Sequence, residues 1–491
     1  MNGIALSPVG RIVLNTDGAA EILQYHAATQ TIYAINSSDD TVEMIDASGL
    51  TSEALSAPIS DTNLTATAMV LPTEANDVAL GGANSIAISG DLMAVAVEAD
   101  AHADNGFILF YNGLDEGVPL FLRAVAVGNL PDMVTFTPDG SKVLVANEGE
   151  PSGDYSVDPE GSIAVITVND GVPADTATLI DFTAYNGMQA ELEAQGMHFP
   201  NPSGRPLNGA LIATSVAQDL EPEYITTSNT MAYVTLQENN GLAMVDLSDN
   251  SVSVIGLGVK DWSGLMFDGN EDGAVSFGQY DGLYGVFMPD TITSYAWSGA
   301  PFLLTANEGD AREYFFDVAD EAACDAAGGQ DYDEDDGCLS YTDEAKLKNL
   351  PAAPGSALEA LQLSGEIGGL RVTRALGANA DGEYDNAYAY GARSFTIWDQ
   401  NGQLVFDSGD EIGRITASIH GRAFNNGDDE NEGDSRSENK GAEPEALTVG
   451  VVGDKTFAFI GLERMGGILV YDITNPYKAA FETYVINRDL T

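Results

Sequence analysis

Two predicted strands joined by a tight turn occupy residues 131–150, which read Pro131-Asp132-Met133-Val134-Thr135-Phe136-Thr137-Pro138-Asp139-Gly140-Ser141-Lys142-Val143-Leu144-Val145-Ala146-Asn147-Glu148-Gly149-Glu150. Runs of β-branched and apolar residues favour strands, and Pro-Asp-Gly is a turn signal. A third strand is predicted at 162–166 and a fourth at 178–182. Four short strands in this order are typical of one blade of a β-propeller.

The same pattern recurs along the chain, with an acid at the start of the first strand and a Glu at the end of the second. Clear copies begin at Pro222-Glu223, Pro289-Asp290 and Pro444-Glu445, and weaker copies begin near Glu21, Asn84 and Leu370. Self-similarity of this kind indicates a repeat fold. Seven copies predict an all-β protein, a seven-bladed β-propeller with loop insertions, formed as a single domain by residues 1–491.

The spacing between the copies is uneven, so several blades are expected to carry insertions. A blade needs roughly 40–50 residues, and the excess falls at residues 185–217, 311–366 and 425–442. Short helices are predicted at 188–194 and near 344–350. The insertion at 425–442 reads as an acidic hairpin with a solvated tip at 428–434.

The charge of the chain is strongly one-sided, with 76 Asp and Glu against 19 Lys and Arg and a formal net charge of −57. Only 19% of the residues are charged while 44% are hydrophobic, which is the balance of a folded chain rather than of a disordered acidic tail. Such a surface repels nucleic acid and anionic membranes. Because no run of 18 apolar residues occurs, we predict no membrane span.

Propeller geometry gathers the repeated acids, because the start of each first strand and the end of each second strand lie on the same face. We expect about a dozen carboxylates at one mouth, among them Asp132, Glu148, Glu150, Glu223, Glu238, Asp290, Glu308, Asp310, Glu445 and Glu463, with Glu21 and Glu98 beside them. Two carboxylates about 4 Å apart repel by about 4 kcal/mol at an effective dielectric constant near 20. The mouth therefore requires cations, protons or bases.

Bound metal is one answer to this repulsion. Oxygen ligands with almost no nearby His or Cys favour hard cations, calcium ahead of magnesium or manganese. Four bases in the same loops can neutralise part of the charge or bind the oxygens of a ligand; they are Arg312, Arg393, Lys440 and Arg464. The alternative is a metal-free scaffold in which the acids cap backbone amides and bond neighbouring blades.

Two other stretches resemble calcium loops. Asp268-Gly269-Asn270-Glu271-Asp272-Gly273 matches the start of an EF-hand loop, with Asp268, Asn270 and Asp272 as ligands, although position 12 is a Gln. An ordinary Asx-Gly turn is the alternative. The second stretch, Asp331-Tyr332-Asp333-Glu334-Asp335-Asp336, offers Asp331, Asp333 and Asp335 as ligands.

The two cysteines, Cys324 and Cys338, favour a disulfide that closes an exposed loop, with two reduced surface thiols as the alternative. A disulfide and the acidity both fit an exported protein. We therefore expect an extracellular or cell-surface location, reached with a leader that this chain lacks.

Several motifs together resemble the choice-of-anchor I family, which includes mesenchyme-specific cell-surface glycoproteins. They are Pro131-Asp132-Met133, Ala146-Asn147-Glu148-Gly149-Glu150, Leu236-Gln237-Glu238-Asn239-Asn240, Thr305-Ala306-Asn307-Glu308-Gly309-Asp310 and Lys440-Gly441-Ala442-Glu443-Pro444-Glu445. The resemblance spans nearly the whole chain. It implies an exported β-propeller, linked in animals to calcium biomineral, while bacterial members are often labelled alkaline phosphatase. The sorting tail of anchored members is not found before Thr491.

Two classes of function remain open. The first is a secreted or surface-displayed calcium-binding propeller that binds a partner, a glycan or a mineral surface. The second is a metal-dependent phosphoesterase, in which carboxylate-held metals bind a phosphate ester and polarise a water molecule. The sequence contains no GxSxG, Walker, GxGxxG or HExxH motif, so no catalytic residue is named.

Overall fold

Six antiparallel sheets with strands in chain order follow one another in the computed structural model, which describes residues 3–14, 19–427 and 431–490. We call these sheets modules 1 to 6. Residues 428–430 of the predicted acidic tip, and the side chain of Glu21, lie outside the described part. No helix in the described ranges is long and apolar enough to cross a membrane.

Modules 1 to 3 are built from the first third of the chain. The strands of module 1 are Ala19–His26, Thr31–Asn36, Thr41–Asp46 and Ala66–Val70. Those of module 2 are Glu74–Ala75, Val78–Ser89, Leu92–Ala99, Phe107–Asn112 and Leu120–Ala126. Those of module 3 are Pro131–Phe136, Lys142–Asn147, Ser162–Asn169, Val172–Pro173 and Thr178–Asp181.

Modules 4 to 6 repeat this plan in the rest of the chain. The strands of module 4 are Ile225–Thr227, Met231–Leu236, Gly241–Asp246 and Ser251–Gly256. Those of module 5 are Ile292–Trp297, Ala300–Asn307, Ser394–Asp399 and Leu404–Asp407. Those of module 6 are Pro444–Val452, Lys455–Leu462, Ile468–Asp472 and Ala480–Val485.

Inner strands of successive modules contact one another from module 1 through to module 6, so the sheets are arranged as in a propeller. The buried side chains form separate clusters between neighbouring sheets. Leu144 and Val234 belong to the cluster between modules 3 and 4, and Leu304 and Ile460 belong to that between modules 5 and 6. Both faces of these sheets are covered, which explains continuous apolar strands such as Leu92–Ala99.

The predicted count of seven blades is not confirmed. The weak copy at 370–393 lies in a mixed sheet with the strand order Val259–Asp261, Leu283–Val286, Ala387–Ala389, Arg371–Thr373 and Glu344–Lys346. Its strands Leu283–Val286 and Ala387–Ala389 pair in parallel, unlike the strands of a blade. This sheet is formed largely by residues 308–393, a long excursion between the second and third strands of module 5.

Helices are few and lie outside the modules. The α-helices are Gln189–Glu193, Val216–Asp219, Glu321–Ala327, Ala357–Ser364 and Glu411–His420. The 3₁₀ helices are Thr183–Tyr185, Leu347–Asn349, Gly421–Ala423 and Pro476–Lys478. The helix predicted at 188–194 is thus found, whereas the one predicted near 344–350 is found only in part, as the 3₁₀ helix Leu347–Asn349. The first residues of that segment form a strand that pairs with Arg371–Thr373, because sheet pairing overrides local helix propensity.

The remaining strands belong to the insertions. A hairpin pairs Pro206–Leu207 with Ala210–Leu211, and a three-stranded sheet contains Tyr314–Phe316, Asp331–Asp333 and Gly337–Tyr341. The predicted disulfide between Cys324 and Cys338 is present and joins the helix Glu321–Ala327 to this sheet. Both cysteines are buried, so the bond forms part of a small local core.

Candidate functional site

The Asn-Glu-Gly-acid motif ends the second strands of modules 3 and 5. Asn307 is fully buried and donates to the hydroxyl oxygens of Ser394 (3.2 Å) and Thr396 (2.7 Å), which fixes the strand end to the third strand. Gly309 has a φ of +85°, and a Cβ there would come within 2.0 Å of the Gly391 nitrogen. Only glycine fits this turn, which brings the acids on both sides of it to the same end of the sheet.

The first strands of modules 3 and 6 contain register shifts that orient their acids. In module 3 the register shifts between Pro131 and Met133, so Asp132 lies at a β-bulge. In module 6 the register shifts between Pro444 and Leu447, a segment that contains Glu445. Bulges re-aim side chains out of the regular alternation of a strand. The acid at the start of these first strands therefore coincides with a β-bulge, which reorients its side chain.

The structure brings the predicted acids together in one cluster, which we call the acidic mouth. Its members are Asp132, Glu148, Glu150, Glu221, Glu223, Glu238, Asp290, Glu308, Asp310, Glu443, Glu445 and Glu463. Glu98 accepts a hydrogen bond from the Gly82 amide and lines a second, small cavity together with His102.

The carboxyl pKa values show that the ionised forms of these acids are unfavourable. Burial raises the pKa of Glu148 well above its ordinary range, and the charges of Glu150 and Asp132 raise it further. Burial likewise raises the pKa of Asp290, with added repulsion from Glu308 and Glu445. The ionised forms are disfavoured because they lose water and face like charges. Because Glu148 also faces Glu238, acids from modules 3, 4, 5 and 6 act on one another.

Built-in bases neutralise one side of the mouth. Lys440 Nζ lies 2.6 Å from Glu308 Oε1 and 3.2 Å from Asp310 Oδ1. The fully buried Glu443 accepts from Arg436 Nε at 2.7 Å and from Arg464 Nε at 2.8 Å. Lys440 and Arg464, predicted from sequence as ligand-binding bases, are therefore at the mouth and paired with its acids.

Arg312 and Arg393, the other two predicted bases, are held as structural clamps. Arg312 is buried, forms ion pairs with Asp219 and with Glu221 (2.7 Å), and borders the mouth. Arg393 donates to the backbone oxygens of Asp268, Ser437 and Asn439 at 2.7–2.8 Å and stacks on a phenylalanine ring. The guanidinium of Arg393 thus anchors the 425–442 insertion to the rest of the fold.

A cavity of about 500 Å³ opens beside the mouth. Its walls carry Glu150, Glu238 and Asp310 from the mouth, together with Glu313, Glu344 and two tyrosines. Its bases are Arg312, Arg371, Arg436, Lys440 and Arg464. The cavity therefore has acidic and basic walls within one enclosure.

A buried histidine supports one of the mouth acids. His198 Nδ1 lies 2.6 Å from the Glu238 backbone oxygen, and Nε2 lies 2.9 Å from Asp343 Oδ2 and from the Thr373 hydroxyl. Burial alone would lower the pKa of His198, but the Asp343 carboxylate reverses this and raises it. Two donor nitrogens fit this arrangement, so His198 fixes the strand end that carries Glu238.

Sequence reasoning missed Glu221, Glu443, Arg371 and Arg436. A signal for the two acids exists, because Glu-Pro-Glu occurs at both 221–223 and 443–445. The two arginines carry no comparable signal, since their positions depend on insertions that fold back over the mouth.

The EF-hand-like stretch forms a closed turn. The Asp268 carboxylate accepts from the Ser276 amide at 2.6 Å, and Asp272 Oδ1 accepts from the Ala274 amide at 2.9 Å. Asn270 Nδ2 donates to Asp272 Oδ2 at 3.1 Å. Asp434 accepts from the amides of residues 272 and 273, which closes the loop. These bonds are those of an Asx-Gly turn, and calcium binding there stays a prediction.

The acidic stretches 331–336 and 428–434 differ in how their described carboxylates are placed. Asp331 and Asp333 lie in a strand, and Asp333 Oδ1 accepts from the Asp335 amide at 2.7 Å in the following turn. Calcium binding at this exposed hairpin also stays a prediction. The solvated tip predicted at 428–434 is wrong for Asp434, which is 1% exposed because it caps the neighbouring turn.

The mouth suits a hard cation by two observations. Glu308, Glu443 and Glu463 each place one carboxylate oxygen within 4.8 Å of the others. Glu238 Oε2 is buried and has no hydrogen-bond partner among the described residues. The three converging carboxylate oxygens are of the ligand type that calcium and magnesium prefer, and the Glu238 oxygen is a further buried acceptor at the mouth.

Comparisons place the chain among known proteins. It is 28% identical over 254 residues to the mesenchyme-specific cell surface glycoprotein of Strongylocentrotus purpuratus, covering 47% of this chain and 32% of that protein. It is 30% identical over 137 residues to Gigasin-3a of Magallana gigas, covering 27% of this chain and 45% of that protein. The matched regions thus span less than half of either relative.

Solved structures align with the chain only at low identity and low TM-score. Hydrazine synthase of Kuenenia stuttgartiensis aligns at 10% identity and a TM-score of 0.40, covering 94% of this chain and 80% of that chain. AztD of Citrobacter koseri aligns at 11% identity and a TM-score of 0.31, covering 95% and 86%. Residues 21–476 match the choice-of-anchor I domain. The chain therefore belongs to the choice-of-anchor I family.

Proposed function

We propose that this protein is an extracellular or cell-surface binding module whose acidic mouth holds divalent cations, calcium first. One observation carries the proposal. Twelve acids cluster at the mouth, where four bases, Arg312, Arg436, Lys440 and Arg464, form ion pairs with some of them, so the named acids outnumber these bases three to one. A divalent cation offsets such repulsion and supplies the buried Glu238 oxygen with a partner.

The proposed location rests on independent features. The chain contains a disulfide, which persists in oxidising compartments. Its family and the cell-surface glycoprotein relative agree with display outside the cell. The net charge of −57 keeps such a module soluble and favours contact with cation-rich surfaces, such as a mineral or a glycan that carries calcium.

Calcium titration tests the proposal directly. We expect calorimetry on chelator-treated protein to show saturable binding. We also expect calcium at a hundredfold excess over Kd to add about 2.7 kcal/mol of stability. For a cooperative chain of this length this corresponds to a midpoint increase of about 3 °C. An unchanged midpoint and no binding heat would contradict the proposal.

Matched variants locate the binding site. Glu238→Gln and Glu463→Gln each remove one carboxyl group from the mouth at constant size, so we expect each to weaken calcium binding at least tenfold. The control replaces Glu191 and Glu193, two exposed acids of the helix Gln189–Glu193, with Gln and should leave the affinity unchanged. Equal losses in the control would mean that calcium binds the surface charge and not the mouth.

A second candidate, a metal-dependent phosphoesterase, is favoured by one feature, the presence of five bases beside carboxylates in the lining of the 500 Å³ cavity. Metals on the acids would bind a phosphate oxygen and activate water, while the bases would stabilise the developing charge. Turnover of a chromogenic phosphate monoester with calcium, magnesium, manganese and zinc tests it. Activity that Glu238→Gln abolishes supports an enzyme, whereas inactivity with all four metals discards this candidate.

A further inference from the structure

Bases are concentrated at the cavity far beyond their share of the chain. The sequence has 19 Lys and Arg in 491 residues, yet five of the fourteen residues that line the cavity are Lys or Arg. About a quarter of all bases thus lie around one enclosure in a protein of net charge −57. A surface of this net charge repels an anionic group, whereas the cavity lining, with five bases and five acids, is formally neutral and repels it less.

Two of these arginines have donors to spare. Arg371 forms an ion pair with Glu344 through Nη1, and Arg436 bonds Glu443 through Nε. The other guanidinium nitrogens of both residues form no side-chain hydrogen bond within the described ranges, and their side chains are 38% and 23% exposed. A guanidinium carries five N–H donors in a planar fork that fits the oxygens of carboxylate, sulfate or phosphate.

Lys440 and Arg464 are tied to the acids that would hold the cation. Lys440 bonds Glu308, while Arg464 bonds Glu443 and lies 3.4 Å from an oxygen of Glu463. Since Glu308, Glu443 and Glu463 are also the three carboxylates whose oxygens converge, a cation on them competes with both bases and with the Arg436 Nε that also bonds Glu443. Binding of the cation would release positive charge toward the cavity.

We propose that the cavity binds an oxyanion together with the cation. Arg371 and Arg436 are the primary anion ligands. Lys440 and Arg464 also bind the anion once the cation has taken their place at the acids. This rests on the proposed cation site. The two ligands then bind with positive coupling, because the cation neutralises the acids and the anion neutralises the bases that the cation has released. By thermodynamic linkage the anion must tighten cation binding by the same factor.

Calorimetry in both orders tests the coupling. Sulfate, methyl phosphate and acetate are titrated into protein freed of cations and into protein saturated with calcium. We expect at least one of the three to bind at least fivefold more tightly with calcium, within the usual range of coupling, and to raise calcium affinity by an equal factor. Preference for sulfate or methyl phosphate identifies a tetrahedral ligand, and preference for acetate identifies a carboxylate ligand.

Arg371→Gln should weaken anion binding about tenfold while calcium affinity measured without anion stays the same, and Arg371→Lys should restore part of the loss. The matched control is Arg123→Gln, which removes one charge from an ion pair with Asp175 that does not belong to the cavity lining. Calcium binding without any anion binding, or anion affinity that ignores calcium, overturns this inference and leaves the cation site standing. Absence of calcium binding overturns both.

Discussion

The ammonium nitrogen of Lys440 lies 2.6 Å from Oε1 of Glu308, and both side chains are largely buried, at 12% and 7% exposure. The lysine comes from the 425–442 insertion and the glutamate from the end of a strand in module 5. Lys440 therefore acts as a counter-ion that the chain itself supplies, at the position where acids from several modules meet. Its pKa is raised because the charges of Glu308 and Asp310 outweigh its burial.

Replacing this lysine should have opposite effects with and without metal. Lys440→Met leaves Glu308 buried without its charged partner, and breaking a buried ion pair costs about 3–5 kcal/mol. In chelator we therefore expect the free energy of unfolding to fall by about 3 kcal/mol. With calcium the loss should shrink, and calcium affinity should rise about tenfold, because a competing positive charge has gone.

Chemical denaturation in chelator and in calcium measures both effects. The control is Lys455→Met, whose ion pairs with Asp472 and Glu482 lie on the outer strands of module 6. It should change stability little and equally in both buffers. A Lys440→Met protein that is destabilised by the same amount with and without calcium would contradict the counter-ion role.

The mouth should also make stability depend on pH. Burial, with the charges of Glu308 and Glu443, raises the pKa of Glu463 from 4.5 to about 8. A carboxyl that binds its proton more tightly in the folded state contributes stability in full below pH 4.5, and this contribution is lost as the pH rises through 8. Cation-free protein should therefore lose stability between these values, and Glu463→Gln should lose less.

Urea denaturation of wild type and Glu463→Gln across this pH range tests the sign. The difference between the two proteins isolates this one group from the other titrating residues. Saturating calcium should remove most of the difference, since a cation replaces the proton as the partner of the carboxylate. A wild-type stability that rises with pH relative to the variant would show that the carboxylate is favoured, not disfavoured, in the fold.

Arg312 should be structural whatever the mouth binds. Its guanidinium is paired with Asp219 and Glu221, two carboxyls that are each 1% exposed. Arg312→Met would leave both acids buried without their base, so we expect a loss of about 3–5 kcal/mol. Thermal denaturation should show this loss equally in chelator and in calcium. Full stability of the variant would mean that these acids are neutral in the fold.

The disulfide should stabilise its insertion more than the whole fold. Closing a 15-residue loop contributes about 3 kcal/mol in the chain-entropy model. Reduction should therefore speed amide exchange within 321–341 by up to about a hundredfold, while amides of 131–169 in module 3 stay unchanged. Thiol titration of the denatured, unreduced protein should find no free thiol. Two reactive thiols would contradict the bond.

Local pattern was enough to predict the strands and much of the mouth. The motif at 146–150 and its copy at 306–310 predicted acids at strand ends, because Asn and Gly have fixed roles there that any copy must repeat. Glu221 and Glu443 were within reach through the repeated Glu-Pro-Glu. The copy at 370–393 was wrongly predicted to be a blade. The sequences of short strands are similar whether the strands pair in a blade or in a mixed sheet.

The sequence by itself determined the all-β repeat, the excess of acid at one end of the sheets and the cysteine pair, since these follow from periodicity, composition and short spacings. Only the tertiary structure decided which charges meet. Arg393 anchors an insertion by bonding backbone oxygens, Arg312 is held in buried ion pairs at the edge of the cavity, and Arg371 and Arg436 reach the same cavity from other segments. Electrostatic partners depend on distance in space, and distances of this kind are set only when the modules close around the mouth.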